Sequence, residues 1–378
     1  MVYQPSQVMR VAEFDAQGHE WRAGLRFPWP QPPANGKVRE VAPGVLWLRM
    51  PLPFALDHIN LYLLRHEQGW VAIDTGLNSE QTRAVWEQVF DQVCAGLPLL
   101  AVICTHFHSD HSGVLGWLAE RFRCPVYMTA GEFQWLHLGA PGGSKPSWAF
   151  RDFYQKAGFS SEHTESLLPL IQAPHFRPEL PSSFQRIEEG SRLTIGGRCW
   201  QVVIGSGHSP EHACLYCAED GLLISGDQVL PRITSTVSVH VTEPQADPLR
   251  DWLDSIERLR ELPDTVLVLP AHERPFFNLH QRLDQLQQHH QVHLEKLQAA
   301  CDVPRSASEL MSELFPRAKQ GFDQLMALGE TLAHANYLIA TGALVRETEL
   351  GVYRYRCTPL GEPRLNRLLP FSADTAAC

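Results

Sequence analysis

The segment 105–113, which reads THFHSDHSG, constrains this chain more than any other part of its sequence. It follows the apolar run LLAVIC, which has the length of a buried strand, and it precedes a predicted helix. On an extended chain His106, His108 and Asp110 project to one side, and His111 joins them only if the chain turns there. Imidazole and carboxylate groups bind zinc, iron and manganese. The segment therefore predicts a metal site where a strand of a sheet ends.

Three further residues of metal-binding type also stand at the ends of apolar runs. They are His208 in VVIGSGHSPEH, Asp227 in GLLISGDQV and His272 in TVLVLPAHE. In each case β-branched residues or leucines come first, then a small residue, and then the polar side chain. Four strand ends would thus deliver seven side chains to one edge of a pair of sheets, which favours an α/β fold with helices outside the sheets.

The order of the motifs resembles that of one known family. H-x-H-x-D-H, GHSPEH, SGD and PAHE follow an upstream IDTG, and over roughly residues 38–275 the chain resembles the metallo-β-lactamase superfamily, including glyoxalase II and the β-lactamase-like endoribonucleases. The resemblance implies a four-layer αββα sandwich and a set of ligands for each of two metals. Its ligands would be His106, His108 and His208 for the first metal, Asp110, His111 and His272 for the second, and Asp227 as the bridging carboxylate.

This resemblance implies two divalent metal ions as cofactors, with zinc expected first and iron or manganese as alternatives. Two such ions carry four positive charges, of which Asp110, Asp227 and a bridging hydroxide neutralise three. We expect the hydroxide to attack a carbonyl or phosphoryl centre, because metal binding lowers the pKa of water to about 7 in favourable sites. Asp110 and Asp227 are therefore the predicted catalytic residues, Asp110 by steering the water or protonating the leaving group.

Four other polar residues are candidates for supporting roles. Asp74, in WVAIDTG, would hold a ligand histidine in one tautomer, or it caps the turn before Gly76. His212 either supports the ligands or only begins a strand. His58 and His240 are candidate substrate contacts, with simple solvent exposure as the alternative.

The chain divides by pattern into four parts. Residues 1–37 form a Pro-rich N-terminal segment, after which regular structure is expected to begin at Val38. Residues 38–278 form the catalytic domain, with an aromatic helical insertion at 131–186 that is either a lid or a small additional core. Residues 279–301 are a linking helix, and residues 302–378 are a small winged-helix-like module of two helices and a hairpin.

Three histidines lie on the linking helix, at positions 289, 290 and 293. His289 and His293 are four residues apart and so share a face, where they could in principle chelate a metal. No third ligand is near them in sequence. We therefore expect them to lie on a solvated face of the helix.

Composition narrows the functional classes. The net charge of −10 disfavours nucleic acid as a partner. The nine scattered cysteines and the lack of a signal-peptide core favour the cytoplasm. Because no apolar run is long enough to span a membrane, no membrane partner is expected. The commonest secreted β-lactamases carry cysteine where this chain has Asp227. A hydrolase of a small ester or thioester is the first hypothesis, and a ribonuclease or phosphodiesterase is the alternative. A non-catalytic binding protein ranks last, and self-association into a homo-oligomer stays open.

Overall fold

The computed structural model describes residues 12–139, 148–171 and 177–358. Seven strands of the N-terminal half are β4 (Val38–Ala42), β5 (Val45–Pro51), β6 (His58–His66), β7 (Gly69–Ile73), β8 (Leu99–Ile103), β9 (Val126–Met128) and β10 (Gln185–Arg186). They form one sheet in the order β10-β9-β8-β7-β6-β5-β4. Strand β6 is buried on both faces over most of its length, which explains its nearly continuous apolar sequence.

A second sheet follows along the chain. Its strands are β11 (Arg192–Ile195), β12 (Arg198–Gly205), β13 (His212–Cys217), β14 (Leu222–Gly226) and β15 (Leu267–Pro270), and they lie in this same order. β12 and β14 both run antiparallel to β13, and β15 is parallel to β14. The C-terminal ends of β12, β14 and β15 consequently lie at one edge of this sheet.

The described residues also contain eleven helices. They are α1 (Glu80–Gln92), α2 (Ser109–Ser112), α3 (Leu115–Phe122), α4 (Ala130–Gly139), α5 (Trp148–Lys156), α6 (Ser161–Ser166), α7 (Leu168–Ile171), α8 (Pro248–Leu259), α9 (Leu279–Ala300), α10 (Ala307–Leu314) and α11 (Gly321–Ala340). No helix in the described ranges is long and apolar enough to cross a lipid bilayer.

Three buried clusters hold these elements together. One lies between the sheets and contains Trp47 and Trp200. A second joins the first sheet to α1 and α3 through residues such as Trp86. The third and largest joins the second sheet to α8, α9, α10 and α11, with Trp252 fully buried in it. The fold is a mixed α/β structure whose core continues into the C-terminal helices.

The expectation that regular structure begins only at Val38 is wrong. Three short strands, β1 (Glu13–Phe14), β2 (Glu20–Arg22) and β3 (Leu25–Phe27), form a separate small sheet. Leu25 and Phe27 are buried, and the ring centroids of Phe27 and Phe276 are 6.4 Å apart. Strands of two or three residues carry too short a pattern to be recognised, and tertiary packing stabilises them here.

The aromatic insertion serves more than one purpose. Phe150, Tyr154 and Phe159 are buried in the largest cluster, together with the C-terminal helices. Trp135, on α4, instead lies beside the segment that follows β8, with its ring centroid 5.5 Å from that of Phe107. Residues 140–147 and 172–176 of the insertion, including Phe176, lie outside the described residues.

The C-terminal region contains α10, α11 and a hairpin of β16 (Leu344–Glu349) and β17 (Val352–Cys357). Ser306 and Glu309 form a reciprocal capping box at the start of α10, which the sequence SASE favours.

The predicted solvated histidine face of α9 is also wrong. His290 is fully buried and His293 is 3% exposed, because α11 covers this side of α9. The periodicity of α9 alone could not show that a helix beginning at Gly321 would pack against its polar face.

Candidate metal centre

The segment after β8 turns so that its polar side chains come together. His108 is extended and precedes α2, and the amides of His111 and Ser112 donate to its carbonyl oxygen at 3.0 and 2.9 Å. The carbonyl oxygen of His111 accepts from the backbone N–H and the hydroxyl of Thr75, each at 2.7 Å. The loop after β7 thus fixes the turn on which Asp110 and His111 lie.

The other three predicted residues follow β12, β14 and β15, whose ends share one edge of the second sheet. His208, Asp227 and His272 therefore approach the segment after β8 from the opposite sheet. The structure brings all seven predicted side chains together in two adjoining groups. The atoms available for metal binding within each group lie within 4.8 Å of one another; the groups are His106, His108, His208 and Asp227, and Asp110, His111 and His272.

Asp227 faces both groups with different oxygen atoms. Its Oδ2 lies 3.5 Å from Nε2 of His208, whereas its Oδ1 lies 3.3 Å from Nε2 of His272 and 3.6 Å from Nε2 of His111. A carboxylate in this position can contact two cations at once. We call the seven residues the metal centre.

The donor atoms fit a pair of divalent cations. His111 Nε2, His272 Nε2 and Asp227 Oδ1 are buried and make no hydrogen bond within the described part of the chain. The oxygen lies 3.3–3.6 Å from the two nitrogens, and a cation between them would be coordinated by all three lone pairs. Five imidazole rings and two carboxylates form a donor set typical of zinc, iron or manganese.

Three of the candidate ligand histidines donate through Nδ1 to a carbonyl or carboxylate oxygen. Nδ1 of His208 donates to the carbonyl oxygen of Thr236 at 2.7 Å, and Nδ1 of His272 donates to that of His58 at 2.9 Å. Nδ1 of His111 donates to Oδ2 of Asp74 at 2.8 Å. In the neutral ring each bond places the proton on Nδ1, so Nε2 offers its lone pair to the centre, as metal-binding histidines require.

Asp74 has a central position in this arrangement. Its two carboxylate oxygens also accept from the backbone N–H and the hydroxyl of Thr105 at 2.7 and 2.9 Å, so it joins the ends of β7 and β8. Asp74 is 2% exposed and has a φ of 62°, in the left-handed region that only a few residue types adopt readily. These three hydrogen bonds favour a role for Asp74 in orienting His111 over the role of a simple turn cap.

His212 and His58 are both buried, and each accepts a hydrogen bond from the backbone of a neighbouring segment. Nε2 of His212 accepts from the backbone N–H of Asp227 at 3.1 Å. Nδ1 of His58 donates to Asp57 at 2.7 Å, and its Nε2 accepts from the N–H of Glu273 at 2.8 Å. Both ring nitrogens of His58 are therefore engaged within the protein, close to the loop that carries His272.

His240 lies at the edge of the centre. Its side chain is exposed, and its ring centroid is 5.4 Å from that of Trp135. Three residues here form what we call the aromatic edge: Phe107, Trp135 and His240.

Glu132 is a functional candidate that sequence reasoning missed. It is fully buried, and its Oε2 accepts from the N–H of Phe107 at 2.9 Å while its Oε1 accepts from that of Glu211 at 2.8 Å. Phe107 separates two ligand histidines, so Glu132 fixes their backbone. Burial raises the pKa of Glu132 to about 7, although these hydrogen bonds favour its charged form. A single glutamate in an aromatic insertion carries no local signal of this role.

Charges within the centre act differently on its histidines. Burial lowers the pKa of His272, but the carboxylates of Asp227 and Asp110 outweigh burial and raise it to about 9. Burial and neighbouring histidines hold the pKa of His106 well below its usual value. A cation would compete with a proton for His272, so we expect metal binding to weaken as the solution becomes more acidic.

Residues 55–272, more than half of the chain, match the model of the metallo-beta-lactamase superfamily. The chain belongs to this superfamily. Residues 294–358 match a second model, described as a metallo-beta-lactamase-like C-terminal domain. The family match covers all seven residues of the metal centre.

Solved structures extend the similarity over most of the chain. A beta-lactamase domain protein from Burkholderia ambifaria is 42% identical, with a TM-score of 0.82, over 88% of this chain and 98% of that one. A metallo-beta-lactamase family protein from Thermus thermophilus is 29% identical, with a TM-score of 0.72, over 84% and 100% of the two chains.

Curated relatives include hydrolases. The probable metallo-hydrolase YqjP of Bacillus subtilis is 25% identical over 79% of this chain and 93% of its own length. The acyl-coenzyme A thioesterase MBLAC2 of Gallus gallus is 30% identical over 62% of this chain and 79% of its own length. With the metal centre, these similarities support a metallo-hydrolase.

Proposed function

We propose that this chain is a hydrolase that uses two divalent metal ions to cleave acyl thioesters of small molecules. The position of Asp227 carries the proposal, since its two oxygens face two separate groups of donor atoms. His106, His108 and His208 would hold one ion, and Asp110, His111 and His272 the other. When bound, such ions lower the pKa of water to about 7 and stabilise negative charge on a carbonyl oxygen.

The two carboxylates of the centre differ in access to substrate. The side chain of Asp227 is 2% exposed, whereas that of Asp110 is 20% exposed. Asp227 is therefore suited to holding both ions, and Asp110 to orienting a water molecule or to exchanging a proton with substrate. Asp74, His212 and Glu132 would position ligands without touching substrate.

Two observations support a thioester as the substrate class. Relatives named as acyl-coenzyme A thioesterases match 62–63% of this chain, and an atrochrysone carboxyl ACP thioesterase from Aspergillus fumigatus is 24% identical over 62% of this chain. The aromatic edge beside the metal centre offers apolar surface for the acyl group. A thiolate also leaves readily without prior protonation, so a thioester needs only a nucleophile and stabilisation of the oxyanion.

The described arginines of the C-terminal region, which we call the tail, do not favour a phosphodiester substrate. Arg354 pairs with Glu309 at 2.7 Å and with Glu349, and Arg356 pairs with Glu347 at 2.6 Å. These arginines are already neutralised by acids. Two further arginines of the C-terminal region, Arg364 and Arg367, lie outside the described residues.

The test compares thioester and phosphodiester turnover by one zinc-loaded preparation, repeated with iron and manganese. Acetyl-, octanoyl- and palmitoyl-coenzyme A are followed by release of free thiol, and single-stranded RNA by cleavage products. We expect thioester hydrolysis that His208→Ala abolishes. His66→Ala, at the opposite end of β6 from His58, is the matched control and should retain full activity.

Cleavage of RNA alone, lost in His208→Ala, would overturn the thioester proposal. So would thiol release that His208→Ala leaves unchanged. The role of Asp110 is tested separately, because an Asp110→Asn protein with both metals and full turnover would contradict it.

The proposal also includes the domain organisation. We propose domains at residues 38–278, 279–301 and 302–378. We also propose that the first has αββα layering and that the last is winged-helix-like. Zinc is the proposed metal and the cytoplasm the proposed location. The three buried clusters and the position of the C-terminal helices support the layering.

A further inference from the structure

A second group of metal-binding side chains lies between α9 and α11, apart from the seven residues of the metal centre. Glu330 and His334 are four residues apart on α11 and share one face of that helix. Histidines of α9 face them. We call this group the helix cluster; it consists of His289, His290, His293, Glu330 and His334.

The donor atoms of the helix cluster form two overlapping triads. His289, His293 and Glu330 make one triad, and His290, Glu330 and His334 make the other, with the donor atoms of each within 4.8 Å. Glu330 belongs to both. His290 and His334 are fully buried, and Glu330 is only 4% exposed. Groups of this polarity are rarely buried together unless something satisfies them.

Hydrogen bonding leaves lone pairs directed into the cluster. Nδ1 of His334 donates to the carbonyl oxygen of Glu330 at 2.7 Å, so its Nε2 is the unprotonated nitrogen. That Nε2 lies 3.2 Å from Nδ1 of His290. Nε2 of His106 and Nε2 of His208 are separated by the same distance in the metal centre. Two nitrogens bound to one tetrahedral zinc ion would be about 3.3 Å apart, given zinc–nitrogen bonds of about 2.0–2.1 Å.

Two buried atoms of the cluster have no hydrogen-bond partner among the described residues. They are Nε2 of His290 and Oε1 of Glu330. A hydrogen bond between the two imidazoles would satisfy Nδ1 of His290 but leave Oε1 of Glu330 unsatisfied, at about 1–3 kcal/mol, whereas a cation bound by Nδ1 of His290 and Nε2 of His334 can also bind this oxygen.

We propose that the helix cluster binds a divalent transition-metal ion, with His290, Glu330 and His334 as its primary ligands. Imidazole and carboxylate ligands suit zinc best, and other first-row divalent cations would also bind. His289 and His293 face the same carboxylate from α9. The ion joins two helices whose ligands are far apart in sequence, and it therefore stabilises the C-terminal region.

The site also adjoins a segment that supports the metal centre. The carbonyl oxygen of Gly329, next to Glu330, accepts from the N–H of Val239 at 3.0 Å. A Cβ atom on Gly329 would lie 2.9 Å from Oγ of Ser238, so this contact is close-packed. Three residues before Val239, the carbonyl oxygen of Thr236 orients His208. The ion in the helix cluster would thus hold α11 against this segment.

Metal counting tests the proposal without reference to activity. Full-length proteins are loaded with zinc, dialysed and analysed by mass spectrometry. A triple variant, His208→Asn, Asp227→Asn and His272→Asn, leaves each group of the metal centre with only two ligands. We expect about three ions per chain in the wild type, about two in Glu330→Gln and about one in the triple variant.

His280→Gln is the matched control, because His280 lies on α9 but outside the helix cluster. It should keep the wild-type number of ions. A triple variant with no bound zinc would overturn the proposal, as would Glu330→Gln with unchanged metal content.

A second measurement applies where Glu330→Gln does not fold. Cobalt is added to the folded triple variant, and visible absorption is recorded. About one equivalent of bound cobalt with intense bands of a four- or five-coordinate ion supports the site. Absence of bound cobalt overturns it. Failure of the catalytic proposal would not affect either result.

Discussion

The metal centre and the helix cluster use the same kinds of donor, but they are built differently. The seven residues of the metal centre follow strands, and loops of both sheets hold them. The helix cluster lies on the regular faces of α9 and α11, where backbone hydrogen bonds within each helix already fix the ligand positions. The difference teaches that a site on loops needs additional residues to hold its backbone, whereas a site between helices needs only that the helices pack together.

Exposure differs as well. Asp110 is 20% exposed at the metal centre, whereas His290 and His334 are 0% exposed. An ion in the metal centre can therefore exchange with solvent and meet substrate. An ion in the helix cluster would be enclosed and structural.

Removal of metal should separate the two sites most strongly. A chelator should lower thioesterase activity by at least about 1,000-fold, or roughly 4 kcal/mol of transition-state stabilisation, before the melting temperature falls. The enclosed ion should leave later, and its loss should lower the melting temperature. Zinc release, activity and melting temperature are followed over time. Release in a single phase, with activity and stability lost together, would contradict the distinction.

Asp74→Asn should have the next largest effect. Asparagine tolerates the positive φ of this position, but it has only one side-chain oxygen, so the change removes both the charge and one acceptor from the contacts with His111 and Thr105. We expect a loss of metal affinity or activity of about 10–100-fold at the metal centre, and normal retention of the ion in the helix cluster. Competitive zinc titration and kcat/KM measure the effect. A variant of wild-type affinity would show that His111 needs no orienting carboxylate.

Glu132→Gln should lower kcat/KM by about ten-fold. Glutamine has only one side-chain oxygen, so it cannot accept from the N–H groups of both Phe107 and Glu211. In the helix cluster, the hydrogen bonds within each helix already hold the backbone of the ligands in place. Glu179→Gln, which alters an ion pair with Arg83, is the control. Equal kinetics of the two variants would mean that the ligand loop is rigid without Glu132.

Trp135→Ala should have the smallest effect. Loss of aromatic surface should raise KM for palmitoyl-coenzyme A several-fold, with little change in kcat or in metal content at either site. His137→Ala, an exposed position on the same helix, should leave KM unchanged. An equal rise in KM for acetyl- and palmitoyl-coenzyme A would show that Trp135 does not contact the acyl chain.

Much of the architecture could be predicted from local patterns. The strands before His106, His208, Asp227 and His272 were recognisable because buried strands have continuous apolar runs that end abruptly. The sequence pattern also predicts the helix at 279–301 and the C-terminal hairpin, which the structure has as α9 and β16–β17. The small N-terminal sheet was missed because its strands are too short to show a period.

Supporting contacts were less predictable. Asp74 and His212 were candidates because of their positions beside strands, but their partners were unknown. Glu132 was not a candidate, since its role depends on the backbone N–H groups of two distant segments. Its importance comes from burial, which the sequence around it does not indicate.

The sequence by itself determined which residues could bind metal and placed seven of them at strand ends, because ligand chemistry and strand periodicity are local properties. Only the tertiary structure decided that α11 covers the polar face of α9 and brings His334 to His290, which is 44 residues away in sequence. Burial depends on neighbours in space, so the same histidines that look solvated on one helix become an enclosed group of donors between two.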